Sequence, residues 1–92
     1  MASRKRLLNE DVPKKTIWKY TLTSSTLNVT KEVESIELVR YNSIRDLFNM
    51  HKEDLISLED LIDFGEDLMK IGGSQTISKR DIYFCVESFV VV

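Results

Sequence analysis

Between Thr16 and Thr23 the side chains alternate: Trp18, Tyr20 and Leu22 on one side, Ile17, Lys19, Thr21 and Thr23 on the other. A period of two is the signature of an extended strand with one buried face, and this run constrains the fold more than any other. A second run, Leu27 to Val33, also alternates, with Leu27, Val29, Lys31 and Val33 on one side. Thr23-Ser24-Ser25-Thr26 lies between them and reads as a turn, so the two runs predict an N-terminal β-hairpin. The stretch Val33–Val39 either extends the second strand or opens a helix, and periodicity fits both.

From Ser43 the spacing becomes helical. Asn42 or Ser43 is placed to cap a first helix with Ile44, Leu47 and Phe48 on one face. A second helix is clearer. Ser57-Leu58-Glu59-Asp60 resembles a capping box, Leu58, Leu61, Ile62, Leu68 and Met69 recur at three- and four-residue spacing, and Gly72-Gly73 follows Ile71 as a left-handed stop. Ser78 precedes Lys79-Arg80-Asp81 as a further cap candidate. The apolar set Ile82 to Val92 fits either a short helix over 79–88 or a buried strand. The expected class is α+β: an N-terminal hairpin followed by two to three helices.

Ninety-two residues allow one small domain. Residues 14–92 are assigned to it and residues 1–13, with little to bury, to a flexible basic arm. The net charge of −2 averages a strong segregation. Residues 1–20 sum to +4, residues 21–52 to zero, residues 53–69 to −7 and the remainder to +1. Such asymmetry suits a polyanion-binding tail beside an acidic interaction face, or simply a solvated tail and the wet face of a helix.

Several classes are excluded as expectations. A single cysteine, Cys85, makes no intramolecular disulfide, and one histidine with one cysteine makes no ordinary zinc site. No apolar run reaches the ~18–20 residues that cross a bilayer, so no membrane partner is expected. The start, Met-Ala-Ser-Arg-Lys-Arg-Leu-Leu-Asn-Glu, lacks the apolar core of a signal peptide, which makes an intracellular protein the default. No constellation supports catalysis. His51 reads as a surface residue, Cys85 as an inert thiol among apolar neighbours, and the carboxylates of 53–69 as a solvated helix face without the loop of a calcium site. Neither enzyme chemistry nor a cofactor or metal is expected.

A helix, a glycine-containing turn and a second capped helix beginning Lys79-Arg80 outline a helix-turn-helix, with the basic pair placed to meet phosphate. Ser78-Lys79-Arg80-Asp81-Ile82-Tyr83-Phe84 resembles the (Thr/Ser)-Lys-Arg-(Asp/Glu)-Ile-Tyr-Tyr motif of the topoisomerase VI A subunit and its meiotic double-strand-break relatives. Val86-Glu87-Ser88-Phe89 is similar to the Val-Glu-Leu-Phe stretch often found after that motif. The resemblance covers about a dozen residues. It implies a winged-helix-like DNA-binding domain and a nuclear location. In that family the second aromatic of the pair is the nucleophile. Phe84 stands there, and a phenyl ring has no oxygen with which to attack a phosphodiester. The chain also ends eight residues later, without the family's metal-binding domain.

Two functions are therefore expected. The first is a non-catalytic DNA-associated domain in which Lys79 and Arg80, helped by Arg4, Lys5 and Arg6, contact phosphate. The second is a small protein-interaction or regulatory module that offers Glu59, Asp60, Asp63, Glu66 and Asp67 of the acidic helix 57–71 to a basic partner.

Overall fold

The computed structural model describes residues 14–92. They form strands β1 (Lys15–Thr23) and β2 (Asn28–Val33), helices α1 (Ile36–Lys52) and α2 (Leu58–Met69), and strands β3 (Gln75–Lys79) and β4 (Ile82–Val91). The four strands make one antiparallel sheet in the order β2-β1-β4-β3. The class is α+β. The chain order is β-β-α-α-β-β, so the expected succession of a hairpin and then helices to the end is not what forms. A hairpin stands at each end of the described chain, and β1 and β4 join the two at the centre of the sheet.

The register explains the alternation. Trp18, Tyr20 and Leu22 pair with Val33, Lys31 and Val29 on one side, and Tyr20 and Leu22 pair with Val86 and Phe84 on the other. These residues share the face that the helices cover. Tyr20, Leu22, Phe84 and Val86 are fully buried there with Val39, Leu47 and Met50 of α1 and Phe64 and Leu68 of α2. The Tyr20 and Phe84 rings meet at 5.9 Å, a favourable tilted contact in the middle of this core.

Three sequence expectations are corrected. The first helix is capped by Ser35, whose hydroxyl accepts from the Glu37 amide, and not by Asn42 or Ser43. Ile36, Val39, Leu47 and Met50 supply a longer inward stripe than Ile44, Leu47 and Phe48, and Ser43 becomes a buried mid-helix residue. Ser57 does cap α2, accepting from the Asp60 amide at 3.2 Å, but α2 ends at Met69 without a left-handed glycine. The third correction removes the helix-turn-helix and winged-helix arrangement. Residues 75–91 are a β-hairpin with a two-residue turn at Arg80-Asp81. Ile77, Lys79, Ile82, Phe84 and Val86 alternate onto the covered face of the sheet, a burial that a helix of the same residues does not achieve. Cys85 correspondingly lies on the open face of the sheet, half-buried beside Thr76.

Among the described residues, no helix is long and apolar enough to cross a membrane.

Candidate functional site

The two charge clusters singled out from the sequence meet each other. Lys79 is on the covered face of β3, so its side chain runs along α2, crosses above the Phe64 ring and ends 2.7 Å from Asp67 Oδ2. That hydrogen bond raises the lysine pKa, desolvation opposes it, and the negative fields of Asp67, Asp63 and Glu66 add to the rise. Arg80 occupies the first position of the hairpin turn with φ 54, in the left-handed region. It reaches Asp60 with a 3.4 Å contact, although its own side chain remains 73% exposed. Asp60 and Asp67, two turns apart on α2, thus hold the turn of the second hairpin against the helix.

Beneath these ion pairs lies a cleft of about 390 Å³, lined by His51, Asp54, Ser57, Asp60, Lys79 and Arg80 among others. His51 is fixed by a 3.1 Å contact of Nδ1 with the Ile56 carbonyl. Asp54, with φ 60, is the only described non-glycine residue other than Arg80 in the left-handed region. Among the described residues, no three His, Cys, Asp or Glu side chains converge as a metal site. The cleft sets three carboxylates, Asp54, Asp60 and Asp81, against two cations, Lys79 and Arg80, so it offers no excess of positive charge to an anion. A phosphate approaching Lys79 competes with Asp67 for its ammonium group, whereas Arg80 keeps most of its guanidinium exposed.

The turn geometry makes a prediction of opposite sign to the helical expectation. Arg80→Gly relieves a left-handed side-chain conformation and is expected to leave stability unchanged or raise it by up to about 1 kcal/mol. In the first turns of a helix, the same substitution lowers stability by about 1 kcal/mol. Urea denaturation of the two proteins separates these outcomes.

Comparison with family models, curated proteins and solved structures finds no match. The site must be read from its own geometry.

That geometry splits the acidic set in two. Asp60 and Asp67 face the second hairpin, whereas Glu59, Asp63 and Glu66 are exposed and make no ion pair among the described residues. Arg4, Lys5 and Arg6 lie outside the described residues. A further surface was not anticipated from the sequence. Leu58, Ile62 and Met69 follow one stripe of α2, about half a turn round from Asp60 and Asp67. All three are exposed, Ile62 by 53% and Met69 by 65%. On α1 the α2-facing flank is marked by Arg40, whose guanidinium donates to the Ile71 carbonyl just past α2. Ile44 and Phe48 follow Arg40 at i+4 and i+8, and with Tyr41 and Arg45 they line an apolar depression of about 270 Å³. Lys52 sits over the Phe48 ring and Arg45 over Tyr41.

The helical layer thus carries two exposed apolar patches, Tyr41, Ile44 and Phe48 of α1 with Arg45 and Lys52 over the rings, and Leu58, Ile62 and Met69 of α2 beside Glu59 and Glu66. One signal in the sequence bears on the second. The apolar residues of α2 fall on two stripes, Leu61, Phe64 and Leu68 on one and Leu58, Ile62 and Met69 on the other, which is more than one core contact covers.

Proposed function

We propose that this protein is a protein-interaction module whose helical layer receives a basic amphipathic helix from a partner. The observation that carries this reading is the exposed apolar surface of the helical layer: Phe48, Leu58, Ile62 and Met69, with the carboxylates Glu59, Asp63 and Glu66 exposed on the same layer and in no ion pair among the described residues. Exposed apolar side chains at helical spacing with a charged rim are the ordinary form of a helix-in-groove receptor. The acidic side chains select a partner of the opposite charge and the apolar surface supplies most of the affinity. Gly65 supports the same reading. It lies on the Leu58–Ile62–Met69 stripe, and a methyl group added there meets nothing in the structure. A helix-interior glycine costs about 1 kcal/mol relative to alanine, and the fold of this chain gains nothing from it. Close approach of another backbone does.

The test uses synthetic helical peptides of leucine with lysine and of leucine with glutamate, together with a short DNA duplex. The leucine–lysine peptide is expected to bind, and the leucine–glutamate peptide is not. Ile62→Asp, and the triple change Glu59→Gln, Asp63→Asn and Glu66→Gln, should each weaken binding about tenfold, near 1.4 kcal/mol. Gly65→Ala should raise stability by about 1 kcal/mol while weakening the same peptide. Equal binding of both peptides, or binding indifferent to these substitutions, overturns the assignment. Salt-sensitive binding of the duplex that is lost in Lys79→Ala/Arg80→Ala replaces it with the DNA-associated reading.

A further inference from the structure

The second surface lies at the far end of the sheet. Past Val86, which pairs with Gln75 at the start of β3, β4 continues through Val91 with no described strand on its β3 side. The Ser88 amide donates to the Ser74 hydroxyl at 3.1 Å, which shows that the peptide groups of Ser88 point away from β1. The same parity holds at the turn, where Lys79 and Ile82 close the hairpin. Val90, two residues on, therefore directs its N–H and C=O to the open side, as Ser88 directs its C=O. No described group accepts or donates there. The helices do not cover this end either: Val90, on the face they cover further along β4, is 61% exposed, and Phe89 and Val91 are exposed on the open face.

Unpaired backbone groups on an apolar β-branched strand call for another strand, and natural sheets usually blunt such edges with charge. The other two edges of this sheet are blunted. β2 carries Lys31 and Glu32, and β3 is five residues long and ends on Lys79. Beyond Glu87, β4 has no charged residue at all.

We propose that this edge pairs with the same edge of a second copy, joining two sheets into one of eight strands about a two-fold axis through Val90. The segment is self-complementary in that arrangement. The N–H and C=O of Val90 in each copy meet the C=O and N–H of Val90 in the other, and the Ser88 carbonyl accepts from the Val92 amide. Phe89 falls opposite Val91, an aromatic–β-branched cross-strand pair. Within the paired stretch Ser88–Val92 no charged residue occurs, so no like charges are opposed there. A two-fold contact of this kind closes on itself and leaves no growing edge of the same sort. The contact is small, and it belongs with the weak, concentration-dependent interfaces.

Sedimentation equilibrium of the full chain over roughly 10 μM to 1 mM tests the pairing. A monomer–dimer equilibrium is expected, with slowed exchange of the Val90 amide as the dimer fills. Val90→Pro removes the donor that faces the open edge while leaving every β1–β4 hydrogen bond in place, and Val90→Lys adds a charge there. Each should weaken association at least tenfold without changing the monomer's circular dichroism. The proposal is overturned by a chain that is monomeric throughout, or by association that both Val90 variants preserve. A dimer dissociated by Ile62→Asp but not by the Val90 variants overturns it too, because the contact then runs through the exposed apolar residues of the helical layer.

Discussion

Phe84→Ala is expected to remove about 3–5 kcal/mol of stability, the usual cost of deleting a fully buried phenyl ring. Phe84 has no exposed surface, stacks on Tyr20, and lies on the central strand between Leu22 and Ile77. A domain of this length has roughly 5–14 kcal/mol in total, so the variant loses about a fifth of it or more. Urea denaturation shows this as a lowered midpoint with little change in slope. The companion Phe84→Tyr addresses the resemblance to the topoisomerase VI A motif, which sets a nucleophilic tyrosine at this position. Here the added hydroxyl enters the core with no partner provided for it, and a loss of about 1–3 kcal/mol is expected. A Phe84→Tyr protein as stable as the parent, with a titrating and reactive phenol, shows that the position is accessible and that the core is misassigned.

The second large effect is alkaline. Tyr20 is fully buried, and its hydroxyl donates to Asp46 Oδ2 at 3.0 Å, which ties β1 to α1. Lys31 of β2 lies 3.6 Å from the same carboxylate oxygen. Burial, the hydrogen bond to Asp46 and the charge of Asp46 all push the Tyr20 pKa upward, with Ser43 and Arg45 opposing. The unfolded chain releases the phenolic proton near pH 10, whereas the folded chain keeps it. Above about pH 10 the folded state binds more protons than the unfolded state, so stability falls as pH rises, by up to about 1.4 kcal/mol per pH unit for this one group. Below that pH its contribution is complete. Tyr20→Phe should lose about 1.5–3 kcal/mol at neutral pH, because the bond is to a charged acceptor, and should flatten the alkaline fall. Denaturation midpoints at pH 7, 10 and 11 for both proteins decide it. Parallel pH profiles would place the alkaline sensitivity elsewhere.

The two halves of the chain differ in how much of their structure can be read from residues alone. In β1 the helix-covered face and the open face differ in polarity, so the alternation of Trp18, Tyr20 and Leu22 is visible. In α2 the Ser57 cap and the Leu61–Phe64–Leu68 stripe are equally plain. β4 has apolar residues on both faces, with Ile82, Phe84 and Val86 inward and Tyr83, Cys85 and Phe89 outward. Its period of two is therefore masked. Its turn carries no glycine or asparagine, since Arg80 itself takes the left-handed conformation, and Ser78-Lys79-Arg80-Asp81 reads as well as a helix cap as a hairpin. The pairing of Lys79 with Asp67 and of Arg80 with Asp60 depends on where β3 comes to rest against α2. No local pattern encodes it, and Lys79 and Arg80 are partnered by two of the five acidic residues, Asp67 and Asp60.

The central pairing of β1 with β4 also bears on how the fold is reached. Lys15 lies opposite Val91, and the two strands that hold the sheet together are the first and last of the described elements. The hairpin β1–β2 and the helix pair form from near neighbours, but the core around Tyr20 stays open until β4 arrives to close it. During synthesis Leu22, Leu47 and Phe64 therefore stay partly uncovered until β4 has been made. Non-local pairing of this kind pays loop-closure entropy before its contacts reward it, which slows folding relative to a topology built from near neighbours.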